Sequence, residues 1–474
     1  MKTINLILTI IISCTWLNTI RAAGYSNADQ TVTFVVTIDT AIKHKPYLLV
    51  YPNMFYADDS RSANPVQIDP VVIKGNVYLF KLPAQTKPRY FSLAYDNGNW
   101  DVFLLSNYFF EPGDQISVSL KKSVFPDEFD ADFSGKNAAK YNCQEEFIAA
   151  ERMELDKMTA ENMAQNGLPY ALRLINARQS LIEKYRTGMS DYAYFLLKTD
   201  MICKQLTVFE HHKKVSIEAK AWLPEALSGV PDSIFMDSKE YLSLKLKNMR
   251  IDFVDTSGHV NFTEFFKGIK SIKDPLLRDR MMVVFFINYW VRIATGFDEL
   301  IDDAANTAVD QQSLQILLMF QNNVIGRKAF NFSLTDVHGK NVTFDSFKGK
   351  IVFIDFWFTG CVHCEFYYQG VLKDVEEKYS DNENIVFVTV CIDKDKDSWL
   401  KSVKSGLYTS NKAVNLYTNG EGVSNDLIRY YNIKSYPRPM LIGADGNILV
   451  FAGGALRKKE NLVAALDKSL GALK

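Results

Sequence analysis

Residues 351–364 of this 474-residue chain have the sequence IVFIDFWFTGCVHC. The apolar run from Ile351 to Trp357 predicts a buried strand, and the pattern after Cys361 predicts an amphipathic helix. Cys361 and Cys364 therefore lie where a strand gives way to a helix. Unsatisfied backbone N–H groups at a helix N-terminus stabilise a thiolate, which is the reactive form of cysteine. This stretch indicates dithiol–disulfide chemistry in a domain that alternates strands and helices.

Two cysteines with this spacing are also half of a zinc site. A zinc site would need a second ligand pair, and the remaining candidates, Cys391 and His338, are isolated in the sequence. We therefore expect neither a metal ion nor another cofactor, and the redox interpretation is favoured.

The residues around the dithiol suggest separate roles. We expect Cys361 to be the nucleophile and Cys364, one turn further into the helix, to be the resolving thiol. A protonated His363 would stabilise the thiolate, although it could instead point to solvent. Asp355 lies on the buried strand, where its pKa should be raised, which suits proton exchange with Cys364. The alternative is that Asp355 is only hydrogen bonded to a neighbouring backbone.

A second segment strengthens the redox interpretation. Tyr436 and Pro437 precede the apolar run Met440–Ile442. Together with Asp355-Phe356-Trp357 and the two cysteines, they resemble the thioredoxin superfamily over residues 326–474. The resemblance implies an α/β fold in which Pro437 is a cis-proline facing the dithiol. It also implies that Pro437, Tyr436 and Trp357 face the substrate.

Residues 332–336 and 347–351 are similar to the TlpA/ResA branch of that superfamily, which contains extracytoplasmic thiol–disulfide oxidoreductases. Residues 111–114 (EPGD) are similar to multidomain TlpA-like envelope proteins of the Bacteroidetes type. Gly360 departs from the family because a tryptophan is usual there, and this should leave that side of the site more open. Arg438 stands where small residues are usual. It could steer an acidic substrate, but a solvated side chain is expected.

The direction of electron flow has opposing indications. The Val362-His363 pair between the cysteines is similar to the dithiol centres of the DsbA and protein disulfide isomerase families. A histidine beside the thiolate favours the reduced dithiol, so a protein with this centre tends to act as an oxidant. The TlpA-like scaffold is associated with reductases that a membrane electron donor supplies. We expect a reductase of protein disulfides. The alternatives are a dithiol oxidase or isomerase, and an envelope partner-binding protein with an accessory thioredoxin-like module.

The residues upstream of the redox domain divide into two regions. Short strands separated by turns predict an antiparallel β domain, a sandwich or small barrel, over residues 23–135. Apolar residues at helical spacing predict an all-α region over residues 136–325. Cys143 and Cys203 fall in that region and could form a disulfide. The chain is thus expected to be multidomain, with the thioredoxin-like domain at residues 326–474.

The first 22 residues have the pattern of an export signal. Lys2 precedes an apolar core, and small residues before Ala23 suggest cleavage after Ala22. Lipid attachment at Cys14 is a less favoured alternative. We therefore expect the protein in the periplasm or cell envelope. The net charge of −1 gives no electrostatic reason to expect a nucleic-acid partner, and the oligomeric state is left open.

Overall fold

The computed structural model describes residues 30–39, 42, 44–51, 55, 65–96, 101–123, 129–155, 160–208, 223–290, 293, 296–433, 435–451 and 455–473. The expected export signal, its cleavage at Ala22 and the alternative lipid site at Cys14 lie outside these ranges. Within them, every helix is too short or too polar to cross a membrane.

The N-terminal part consists of two β-sheets that pack face to face. Its strands are β1 (Val32–Ile38), β2 (Pro46–Tyr51), β3 (Val66–Ile68), β4 (Val71–Lys74), β5 (Val77–Leu82), β6 (Arg89–Asp96), β7 (Asp101–Phe110), β8 (Gln115–Lys122) and β9 (Phe129–Lys136). One sheet has the order β4-β5-β1-β8-β9 and the other has the order β3-β2-β6-β7. Alternate residues of β1 face the space between the sheets, where Phe34 contacts Phe91 at 4.8 Å between ring centroids.

The prediction of a purely antiparallel β domain is wrong at one strand pair. β1 and β8 are parallel, whereas β1 is antiparallel to its other neighbour, β5. Parallel neighbours need a long connection, and here the connection includes the strands of the second sheet. The sequence pattern predicts each strand from its own residues only. It therefore contains no signal for the parallel pairing of β1 with β8.

Helices occupy the middle of the chain. They are α1 (Ala139–Leu155), α2 (Ala160–Tyr185), α3 (Asp191–Val208), α4 (Asp232–Asp237), α5 (Lys239–Arg250), α6 (Phe262–Lys270), α7 (Pro275–Tyr289), α8 (Phe297–Thr307) and α9 (Gln311–Gln321). The core forms around α7, whose residues 281–286 are all buried. Sequence patterns predict α1, α2, α3, α5 and α7 but miss α4, α6, α8 and α9, each of which has 11 residues or fewer.

A buried charge cluster joins the β-sheets to α1. Lys140 is 1% exposed, and its Nζ lies 2.9 Å from Glu111 Oε2 and 2.6 Å from Asp114 Oδ2. Tyr141 donates a hydrogen bond of 2.6 Å to the same Asp114 oxygen. The EPGD segment is therefore a turn whose two carboxylates neutralise a lysine of the first helix.

The C-terminal part is an α/β unit around a seven-stranded sheet of order β11-β10-β14-β13-β12-β15-β16. Its strands are β10 (Ser333–Asp336), β11 (Asn341–Thr343), β12 (Ile351–Trp357), β13 (Ile385–Cys391), β14 (Val414–Tyr417), β15 (Met440–Ile442) and β16 (Ile448–Phe451). Its helices are α10 (Val362–Tyr367), α11 (Lys373–Lys378), α12 (Lys396–Ser405), α13 (Asp426–Tyr430) and α14 (Lys459–Gly471). A π-helical turn, Tyr368–Leu372, connects α10 to α11.

β12 lies inside this sheet, parallel to β13 and antiparallel to β15, and every one of its residues is buried. A strand covered on both faces requires a continuous apolar sequence, which is why this segment is so easily recognised. The sequence pattern does not indicate β11 or β14, because their three and four residues mix polar with apolar side chains and are too few to show a period.

The C-terminal unit contacts both upstream parts. Lys394 Nζ lies 3.1 Å from Asp96 Oδ2 and 2.7 Å from Asp101 Oδ1 in the β-sheets. The Asn322 amide, just after α9, donates a hydrogen bond of 3.2 Å to the Tyr430 carbonyl. The dithiol therefore belongs to a unit that is held against the rest of the chain.

Candidate functional site

The two cysteines form a disulfide at the start of α10. Cys361 and Cys364 have a Cα–Cα distance of 5.2 Å. Cys361 is the N-cap residue, and its Sγ accepts a hydrogen bond of 3.1 Å from the backbone N–H of Cys364. Cys361 is 5% exposed and Cys364 is 1% exposed. The more accessible sulfur thus lies nearest the helix N-terminus, which favours Cys361 as the attacking thiolate.

The loop before Cys361 is fixed by side chains from elsewhere in the unit. The Thr359 N–H donates a hydrogen bond of 2.9 Å to Asp393 Oδ1, and the Gly360 N–H donates one of 3.0 Å to the Tyr408 hydroxyl. Gly360 has a φ of 86°, a left-handed conformation that disfavours residues with a side chain. The glycine that replaces the usual tryptophan is therefore suited to the turn that presents Cys361.

Asp355 is buried on the face of β12 that packs against the helix carrying the dithiol. It shares that face with Ile351 and Phe353, whose neighbours include Tyr367. Its Oδ1 has no hydrogen-bond partner among the described residues.

Burial raises the pKa of Asp355 to about 8, and the negative charge of Glu376 acts in the same direction. The backbone N–H groups of Phe356 and Arg438 and the charge of Arg457 act to lower that pKa. The direction of the shift agrees with the sequence-based expectation. Proton exchange with Cys364 stays a prediction.

The Pro437 segment lies at the same edge of the sheet as the dithiol. The Tyr436–Pro437 peptide bond is cis. β15 begins at Met440, which pairs with Ile354 of β12, so the preceding loop lies beside the carboxyl end of β12. Arg457 donates a hydrogen bond of 2.6 Å to the Pro437 carbonyl.

The exposure of the predicted site residues corrects part of the sequence analysis. Trp357 is 0% exposed and stacks on Tyr408 at 5.0 Å, so the prediction that it faces the substrate is wrong. Its ring belongs to the core because β12 is covered on both faces. Tyr436 is buried and contacts Phe358 edge-on at 5.5 Å. His363 is exposed, and its effect on the thiolate stays a prediction.

Arg438 is also placed differently from the expectation of a solvated side chain. It is 7% exposed and faces the rings of Trp290 and Phe451. The helical region supplies Trp290, which a reading of the redox domain alone could not reveal.

Sequence reasoning missed three residues that hold the site, namely Asp393, Tyr408 and Arg457. Asp393 could have been found, because it follows β13 at the edge where the carboxyl ends of parallel strands meet. Burial raises the pKa of Asp393, whereas the hydrogen bonds from Thr359 act to lower it. Tyr408 and Arg457 lie in segments whose sequence pattern gives no indication that they contribute to the site.

The other described cysteines do not form disulfides. Cys143, Cys203 and Cys391 are free and buried, so the pairing of Cys143 with Cys203 is absent from this structure. Burial raises the pKa of each of these thiols. Among the described residues, no group of three or more His, Cys, Asp or Glu side chains is arranged to hold a metal ion.

Comparison with known proteins agrees with this geometry. A family model described as thioredoxin-like matches residues 349–448. The chain is 30% identical over 144 residues to the thiol-disulfide oxidoreductase ResA of Bacillus thuringiensis, covering 30% of this chain and 78% of that protein. The chain belongs to the TlpA/ResA-like branch of the thioredoxin superfamily. The resemblance read from the sequence is thereby confirmed, and the enzyme class of this ResA-like protein is thiol–disulfide oxidoreductase.

Two further proteins are each similar to about a third of the ResA-like chain or less. The thioredoxin-like protein YneN of Bacillus subtilis is 26% identical over 135 residues, which are 28% of this chain and 75% of YneN. The crystal structure of the thioredoxin domain of a thiol-disulfide oxidoreductase from Bacteroides vulgatus is 25% identical, with a TM-score of 0.27, covering 31% of this chain and 96% of that chain.

Proposed function

We propose that this ResA-like protein is a cell-envelope oxidoreductase that reduces protein disulfides through Cys361 and Cys364. The observation that carries the proposal is the position of the Cys361 sulfur, which caps the helix and accepts the Cys364 N–H. An N–H donor of this kind favours the charged form of the sulfur over the neutral thiol.

The reaction begins with the reduced dithiol. The Cys361 thiolate attacks one sulfur of the substrate disulfide, and the other substrate sulfur leaves as a thiolate. Cys364 then loses its proton, for which Asp355 is the proposed acceptor, and attacks the Cys361 sulfur of the mixed disulfide. The substrate leaves as a dithiol, and the enzyme is left with the Cys361–Cys364 disulfide. Two electrons have moved to the substrate, and a dithiol donor must return two electrons for the next turnover.

The location and the electron donor are parts of the proposal. The predicted export signal with cleavage after Ala22 supports a place in the envelope, where substrate disulfides form. A membrane protein with a dithiol would then be the donor. Mass measurement of the protein recovered from the envelope distinguishes cleavage after Ala22 from a lipid on Cys14, and recovery from the cytoplasm with an intact N-terminus would contradict the proposed location.

Variants of single cysteines test the chemistry. Cys364→Ser should accumulate a mixed disulfide with a peptide disulfide substrate, because the resolving thiol is missing, whereas Cys361→Ser should accumulate none. Cys391→Ala is the matched control, since Cys391 is a buried thiol in the same unit, and it should behave like the unchanged protein. Substrate reduction by Cys361→Ser at the normal rate would refute the proposal.

A dithiol oxidase is the second candidate, favoured by the exposed His363 between the two cysteines. A protonated imidazole would favour the reduced dithiol and raise the reduction potential. Equilibration in glutathione or dithiothreitol buffers decides between the two directions. A potential near that of thioredoxin, about −270 mV, supports the reductase, and one near that of DsbA, about −120 mV, supports the oxidase.

A further inference from the structure

The loop that carries Pro437 is held by a residue of the helical region. Arg438 follows Pro437, and its guanidinium carbon lies 4.8 Å from the centroid of the Trp290 ring and 5.2 Å from that of Phe451. Trp290 is the C-cap residue of α7, whereas Phe451 belongs to the redox unit itself. The arginine side chain thus lies between aromatic rings from two parts of the chain.

The environment of Arg438 makes these ring contacts important. The side chain is 7% exposed, and its Nε has no hydrogen-bond partner among the described residues. Burial and the nearby charge of Arg457 lower the pKa of Arg438 to about 10, so it is still a cation at neutral pH. A buried cation needs compensation, and the faces of aromatic rings attract a guanidinium most strongly when water is excluded. Loss of the Trp290 ring should therefore move Arg438.

Arg438 is linked to the dithiol through its backbone. β15 pairs with β12 through Met440 and Ile354, so the Arg438 backbone lies beside Asp355, and its N–H acts to lower the pKa of this buried acid. Its neighbour Pro437 accepts a hydrogen bond of 2.6 Å from Arg457. A movement of the Arg438 side chain thus shifts the backbone beside Asp355 and the cis-proline together.

We propose that Trp290 and Arg438 are positioning residues through which the helical region sets the geometry of Pro437 and Asp355, and with it the redox equilibrium of the dithiol. The inference rests on the proposed dithiol chemistry of Cys361 and Cys364 but not on the direction of electron flow. It assigns the upstream helices a part in the redox site.

The test measures the equilibrium of the full chain with glutathione at pH 9, where most Asp355 carboxyl groups are ionised because their pKa is about 8. Two glutathione thiols reduce the Cys361–Cys364 disulfide and become one glutathione disulfide. In Trp290→Leu and Arg438→Met, the Arg438 N–H should move away from Asp355, which favours the neutral carboxyl group. A neutral Asp355 no longer opposes a thiolate. The equilibrium should therefore shift toward the dithiol by at least about threefold, which is about 14 mV for a two-electron couple.

A double variant and a matched control make the test specific. Trp290→Leu combined with Arg438→Met should shift the equilibrium no further than either change alone, because both remove one contact. Phe262→Leu is the control, since Phe262 packs in the same helical core, 6.3 Å from Phe285 between ring centroids, has no ring contact with Trp290 among the described residues, and should leave the equilibrium unchanged. If Trp290→Leu does not fold, Trp290→Phe replaces it and should show a smaller shift with the same sign.

Each other outcome has a definite meaning. Unchanged equilibria in the folded single variants, additive shifts in the double variant, or an equal shift in Phe262→Leu would each overturn the positioning role. Failure of the unchanged protein to exchange with glutathione would instead count against the proposed dithiol function.

Discussion

Replacement of Asp355 by asparagine tests the buried acid most directly. The pKa of Asp355 is raised from 3.8 to about 8 by burial. Between these values the unfolded chain has lost the proton that the folded protein retains, so the free energy of unfolding falls as the pH rises. The fall is about 1.4 kcal/mol per pH unit, and the shift of about four units amounts to roughly 5 kcal/mol. Above about pH 8 the folded protein has also lost this proton, so the free energy of unfolding falls no further.

Asparagine has nearly the same shape and no proton to lose. The difference in unfolding free energy between Asp355→Asn and the unchanged protein should therefore grow in favour of the variant by about 2.5 kcal/mol between pH 5.5 and pH 7.5. Urea unfolding of the oxidised protein at these two pH values measures it. Asp381→Asn, at an exposed position, is the control and should leave the pH dependence nearly unchanged. Equal pH dependence in Asp355→Asn and the unchanged protein would refute the raised pKa.

The same variant tests the proposed role of Asp355 in proton transfer. Since the pKa of Asp355 is about 8, only about a tenth of the carboxyl groups are ionised at pH 7, and the resolving step should accelerate up to about pH 8. Arg457, Glu376 and Tyr367 are the ionisable groups that face Asp355 and are unchanged in the variant. Asp355→Asn should slow decay of the mixed disulfide by on the order of 100-fold. A variant as fast as the unchanged protein would leave Asp355 with a structural role only.

Two further variants test the buried charge cluster around Lys140 and the hydrogen bond that holds the loop before Cys361. Lys140→Met leaves two buried carboxylates without their cation and should lower the free energy of unfolding by about 3–5 kcal/mol, whereas the exposed Lys121→Met should cost less than about 1 kcal/mol. Equal losses in urea unfolding would contradict the burial of this cluster. Tyr408→Phe removes the acceptor of the Gly360 N–H and should cost about 1 kcal/mol. Amide hydrogen exchange at Gly360 should then become faster, and unchanged protection would show that the bond does not hold the loop.

The contacts of the redox unit suggest why the upstream regions matter to the chemistry. Lys394, which contacts the β-sheets, follows Asp393, which holds Thr359 two residues before Cys361. Arg438, which contacts the helical region, follows Pro437. The two loops that flank the dithiol are thus each attached to a different upstream part of the chain.

Sequence alone determined the redox motif and its surroundings along the chain. The apolar run of β12 and the helix after Cys361 are local patterns, and a strand buried on both faces has a nearly continuous apolar sequence. The raised pKa of Asp355 followed from the same run, because an acid within an apolar strand has few polar neighbours. The position of Pro437 before β15 was recognised through a family resemblance.

Only the tertiary structure decided which side chains meet at the dithiol. Trp357 is buried because Tyr408 covers it, and Arg438 is buried because Trp290 reaches it from a distant helix. The parallel pairing of β1 with β8 likewise depends on strands that are far apart in the sequence. Periodicity and composition report on the conformation of neighbouring residues, whereas these contacts arise from packing between distant segments. No local pattern contains that information.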